Sequence, residues 1–221
     1  MTRSVVGISI AVLLPASLWA QGTASPYPTM APIEQYRMDR PAEIALAKSA
    51  APASISDSAE ILVLGVSGYE TAVKGKNGFV CAVGRGWAND FGSPDFWNPK
   101  SRSPVCANAA AARSYLPYYL TRTKWVLAGM SEARMKAATA PVKPELGAMV
   151  YMLSKDGYLG DNVKGPWHPH LMFVYARTPD AAWGANVAGS PVEEYDAPNA
   201  LVTLFLVQVK HWSDGSADSA P

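Results

Sequence analysis

The chain is poor in charge, in cysteine and in histidine. Charged residues make up 17% of its 221 positions, and 19 Lys and Arg against 18 Asp and Glu leave a formal charge of +1. Nucleic acid calls for a clustered basic face and an anionic membrane for a similar attraction, so neither partner is expected. Long apolar runs are scarce too. The run Val5–Leu14 (VVGISIAVLL) is too short for a helix across a bilayer, which takes about 20 residues. No later run reaches that length, so no stable membrane insertion is expected once the N-terminal segment is gone. Phosphate-binding loops are missing: GKNGFVC (75–81) lacks the Lys-Ser/Thr pair, and GVSGYE (65–70) does not open a helix. No nucleophile elbow is present either, because Gly65–Gly68 lacks the G-x-S-x-G spacing and Gly189-Ser190-Pro191 cannot form that turn.

What is present begins with an export pattern. Arg3 precedes the apolar run, Pro15 and Ser17 break it, and small residues follow at Ala20 and Ala24. Residues 1–20 are therefore read as a signal peptide and the mature chain as exported, to the periplasm or the outside. In that compartment the two cysteines, Cys81 and Cys106, are expected to form a disulfide. On the chain-entropy model such a bridge stabilises the fold by roughly 3.5 kcal/mol. The alternative, Cys81 as a nucleophile, would need an adjacent base, and no histidine is near it in sequence.

The Pro- and Ala-rich residues 21–38 read as a flexible N-terminal arm, residues 39–212 as one globular domain, and 213–221 as a mobile polar tail. Asp39 and Pro41 start a helix that ends before Pro52, and Asn108 starts one interrupted at Pro117 and resumed to Ala128. In that second helix Leu116, Leu120, Thr123 and Leu127 form a stripe, and Ser131 caps a further short helix. Strands are predicted at 60–66, 69–74 and 79–85, joined as an antiparallel meander by Ser67-Gly68 and Asn77-Gly78. Residues 86–107 read as a long loop, with more strands at 147–153, 170–176 and 200–210. The expected fold is α+β, a mainly antiparallel sheet of about five or six strands with helices on one face.

The stretches EIALAKSAAP (43–52), GYETAVKGKNGFVC (68–81), FWNPK (96–100), GYLGD (157–161), HPHLMF (168–173), WGAN and GSP (183–191), and HWSDG (211–215) carry a resemblance. The chain resembles a group of small exported bacterial proteins to which no function is assigned. That resemblance implies export from a bacterium and no particular reaction.

Two constellations bear on chemistry. In GPWHPHLMF (165–173), His168 and His170 are spaced so that in a strand both would face one side. With His211 they are the candidate ligands of a metal, and with Asp161 they are candidate acid–base groups. The pattern His-x-His plus a third histidine resembles carbonic anhydrases and, loosely, cupins, but the cupin glutamate is replaced here by Phe173, Val174 and Tyr175. Pro169 equally suits a structural corner at the start of a strand. That reading leaves His211 in solvent, too far away to complete a site. The second constellation is aromatic: Trp87, Phe91, Phe96 and Trp97 interleave with Asn89, Asp90, Asp95 and Asn98, and Trp183 sits in a later loop. Rings with amides suit a surface for a small molecule, with Trp87, Asp90, Trp97 and Trp183 as candidate contacts, and they equally suit a hydrophobic cover for the sheet. No cofactor is implied, and the partner is an unidentified small molecule or protein. The alternative is a metal-dependent or His-based enzyme centred on His168 and His170.

Overall fold

The computed structural model describes residues 25–161, 167–178, 184–195 and 200–219. The segment read as a signal peptide and Trp183 lie outside the described residues.

The helix signals act locally. Asp39 accepts a hydrogen bond from Ala42 N, and Pro41 sits in the first turn of α1 (Arg40–Lys48). A single turn, α2 (Ala53–Ser56), follows Pro52. Asn108 Oδ1 accepts from Ala111 N to cap α3 (Ala109–Ser114), and Ser131 caps α5 (Glu132–Ala138). Pro117 falls in the first turn of α4 (Leu116–Leu127), where a missing N–H costs no helical bond.

The fold is α+β, but the sheet differs from the expected five or six strands and from the expected meander. Among the described residues it has eight strands: β1 (Glu60–Leu64), β2 (Tyr69–Val73), β3 (Val80–Gly84), β4 (Ser103–Ala107), β5 (Met149–Met152), β6 (His170–Ala176), β7 (Val192–Tyr195) and β8 (Val202–Gln208). Their order is β2-β1-β3-β4-β5-β6-β8-β7, and the sheet is mixed because β1 and β3 run parallel. The reason lies in polarity. β1 is apolar on both faces and takes an inner position, while β2, with Glu70 and Thr71 exposed, takes the edge. The chain then passes under the start of β1 to reach its other side. Lys76 N donates to Ser58 O, and Gly75 lies so close to β1 that a Cβ there would fall 2.2 Å from Glu60 N. The Asn77-Gly78 turn therefore serves a crossover, not a hairpin.

Two strands fall where loops were expected. β4 occupies the end of the 86–107 segment, and its Pro104 avoids the usual exclusion from inner strands because β5 pairs only with Cys106 and Ala107. β7 forms the far edge, with Val192 opposite Val207.

Helices also cover both faces, not one. Ala47 of α1 packs on Ile61, Cys81, Val83 and Cys106, whereas Leu116 of α4 packs on Leu62 and Ala82. Neighbouring residues of a strand point to opposite faces, so α1 and α4 lie on opposite sides. The arm and tail are tied down as well. Tyr36 is fully buried and donates through its hydroxyl to Trp97 O at 2.8 Å. At the other end Trp212 N donates to Ser216 O and Asp218 N to Lys210 O, folding residues 211–218 back on themselves. Among the described residues no helix is long and apolar enough to cross a membrane.

Candidate functional site

Cys81 and Cys106 stand directly opposite in β3 and β4 and are joined by a disulfide. They belong to the α1 face, beneath Ala47. The opposite face is hollow.

A cavity of about 540 Å³ lies between that face and α3–α4, closed at one end by the 87–95 loop. Its floor is Val105, Val150, Met172, Leu204 and Leu206, contributed by β4, β5, β6 and β8. Its roof is aromatic. Tyr115 and Tyr119, one helical turn apart, share a hydrogen bond of 2.7 Å between their hydroxyls. Burial pushes Tyr115 up to about 12 and raises Tyr119 well above the usual phenol value, so both are neutral donors at physiological pH. Tyr195 of β7 reaches the same cavity and donates to Asp90 Oδ2 at 2.7 Å.

One charge is buried in the roof. Arg122 is 2% exposed, and its Nη1 donates to Trp87 O and Asn89 O, each at 2.7 Å. Its guanidinium lies over Phe91 at 4.2 Å and over Tyr118 at 4.3 Å from the ring centroids. Burial pulls it down to about 10, which leaves it charged at neutral pH. Arg122 Nε and the Tyr118 hydroxyl are buried without a hydrogen-bond partner.

His170, the first residue of β6, is buried on the cavity wall. Its Nδ1 stands 2.8 Å from His168 O, so Nδ1 carries the proton and Nε2 is left as the acceptor. Burial lowers its affinity for a second proton. Trp167 meets the ring edge-on at 5.0 Å. His168 precedes the strand and pairs with Asp218 at 2.7 Å. His211 is exposed beyond β8, bridged to Ala217. Asp161 accepts from Tyr27, Tyr158 and Asn98, and the two phenols hold its carboxyl below the usual range. Among the described residues no group of three His, Cys, Asp or Glu side chains is placed to hold a metal.

The aromatic candidates separate into core and surface. Trp87 is 1% exposed and donates to Thr123 Oγ1 at 2.9 Å, and Phe91 and Phe96 are buried beside it. Trp97 is half-buried, edge-on to Phe96 at 4.7 Å, in a shallower hollow between the N-terminal arm and α5. Of the described ring-and-acid candidates, Trp87 and Asp90 line the main cavity, Trp87 with its indole N–H already given to Thr123. The sequence reading passed over Tyr115, Tyr118, Tyr119, Arg122 and Tyr195. The stripe of Leu116, Leu120, Thr123 and Leu127 does not include Arg122, whereas the buried positions of α4 are Leu116, Arg122, Thr123 and Val126. Four aromatic or charged residues on one side of YLPYYLTR were the available signal. No family model matches the chain, and no curated protein or solved structure is significantly similar to it.

Proposed function

We propose that this is an exported bacterial domain that binds a small, largely apolar molecule in the cavity between the sheet and α3–α4. The observation that carries this reading is a hollow of about 540 Å³ in the core, walled by aliphatic and aromatic side chains with a few polar groups converging on it. Well-packed cores rarely keep such a void, and ligand pockets commonly fall between about 300 and 1,000 Å³. Export is supported by the N-terminal charged-then-apolar pattern and is compatible with the disulfide.

A second reading, a His-based enzyme, is favoured by one feature: His170 borders the cavity with Nε2 left as an acceptor, able to take a proton from a bound molecule. His168, engaged with Asp218, would then act on its neighbour's position and not on substrate.

Titration of the purified, disulfide-bonded protein with the neutral fluorophore N-phenyl-1-naphthylamine tests the binding reading. Saturable one-to-one binding that is lost in Val105→Phe, which fills the floor, is the expected result. Absence of saturable binding, or binding indifferent to Val105→Phe, overturns it.

A further inference from the structure

The two buried cations on the cavity wall are compensated differently. They are Arg85 and Arg122, and both are buried to within 2% of completely. Arg85 has a carboxylate: its Nη2 donates to Glu43 Oε1 at 2.7 Å, its Nε to Tyr36 O, and its Nη1 to Val83 O. Arg122 has no carboxylate at ion-pair distance among the described residues; Asp90 and Glu132 act on it only through longer-range attraction. Its bonds are two backbone carbonyls, both taken by Nη1, and two ring faces. A buried cation without a contacting anion is costly, and a buried donor left unmade adds to that cost.

Most other polar groups of the cavity are already engaged. Asp90 accepts from Tyr195, and Asp95 accepts from Asn98 Nδ2 and from Asp161 N. Tyr115 and Tyr119 share one hydrogen bond, in which one hydroxyl donates and the other accepts. His170 Nε2 is an open acceptor, and the buried donors without a partner are Arg122 Nε–H and the hydroxyl of Tyr118, whose side chain lies against the same guanidinium.

We propose that the cavity's ligand is an apolar monocarboxylic acid, its carboxylate bound by Arg122 Nε–H and the Tyr118 hydroxyl and its hydrocarbon body lying over Val150, Met172 and Leu206. This rests on the binding function proposed above and names the chemistry of its ligand. Carboxylate supplies an anion in direct contact with Arg122 and accepts both unpartnered donors at once, with lone pairs to spare. A neutral alcohol supplies no charge.

The test is displacement of N-phenyl-1-naphthylamine by dodecanoic acid and by 1-dodecanol, molecules of equal chain length differing in the head group. Dodecanoate is expected to displace the probe at least about tenfold more tightly than the alcohol, the size of one charge-assisted hydrogen bond. Tyr118→Phe should weaken dodecanoate by about three- to tenfold and leave dodecanol within about twofold, because only the acid uses the hydroxyl. The same variant without ligand should melt no lower than the parent, since the hydroxyl it loses has no partner. Arg122→Gln should abolish the preference for the acid. Should that variant fail to fold, the acid-to-alcohol ratio and Tyr118→Phe still decide. Equal displacement by acid and alcohol, or a Tyr118→Phe variant that binds dodecanoate unchanged, overturns the carboxylate inference while probe binding keeps the cavity reading alive. Loss of probe binding as well would remove both.

Discussion

On one face of the sheet α1 lies close, because what it and the turn after it bury is small: Ala47 of the helix and Ala50 and Ala51 just beyond it are buried against Ile61, Cys81 and Cys106, with Ile44 and Leu46 at the margin. On the other face α3 and α4 present Tyr115, Tyr119 and Arg122, and a cavity of about 540 Å³ is left between them and the strands. Small side chains let backbones approach and fill space densely, while long, stiff, polar-tipped ones stand a helix off. One face is thus built for stability and the other holds room for a ligand. The disulfide belongs to the first, and every polar group argued to touch a ligand belongs to the second.

The largest break in that comparison is removal of the disulfide. Cys81→Ala with Cys106→Ala releases a loop of 25 residues' separation, and urea unfolding should show a loss of about 3.5 kcal/mol on the chain-entropy model. Probe binding should persist in whatever fraction stays folded, since the bridge faces away from the cavity. A loss below about 1 kcal/mol would show that the closed face does not depend on its cross-link.

A matched pair of enlargements comes next. Ala47→Leu forces methyl groups into a filled interface and should cost about 1–3 kcal/mol, whereas Val105→Phe grows into open space and should cost under about 1 kcal/mol. Denaturation midpoints of the two variants measured side by side settle it. Equal losses would mean that the cavity face is as tightly packed as the other.

The smallest effect concerns His170. Burial lowers its pKa below 6.5, with the His168 carbonyl and Glu193 pulling the other way. The unfolded chain takes up a proton below about pH 6.5 that the folded chain resists, so stability is full above that pH and falls as pH drops towards the lowered value. The slope from this one group stays under about 1.4 kcal/mol per pH unit. His170→Phe should flatten the stability profile between pH 7 and pH 5 relative to the parent, with mild-acid urea titrations as the readout. An unchanged profile would show that His170 does not set the acid sensitivity.

Much of the scaffold was legible residue by residue. Asp39, Asn108 and Ser131 announce helix starts because a cap acts on N–H groups two or three positions away. The apolar runs of β1, β5, β6 and β8 were visible as strands. β4 was hidden by Pro104 and β7 by the paired glutamates Glu193 and Glu194, residues that argue locally against a strand. The site was barely legible. His170 stands out by its motif, while nothing local marks Arg122 as buried, because a charge in a helix is ordinarily exposed.

The sequence by itself determined where the main helices start, where all strands but β4 and β7 lie, and that the two cysteines have each other as partners, since propensity, capping and a count of two act without reference to distant chain. Only the tertiary structure decided that β3 passes β1 to lie parallel to it, that α1 and α4 take opposite faces, and that Arg122 is buried beside an empty space. Those outcomes depend on contacts between residues remote in the chain, such as Gly75 clearing the backbone of Glu60 and Arg122 reaching Trp87 O across the 87–95 loop. No local pattern encodes them, because the energy that selects them exists only once both partners are in place.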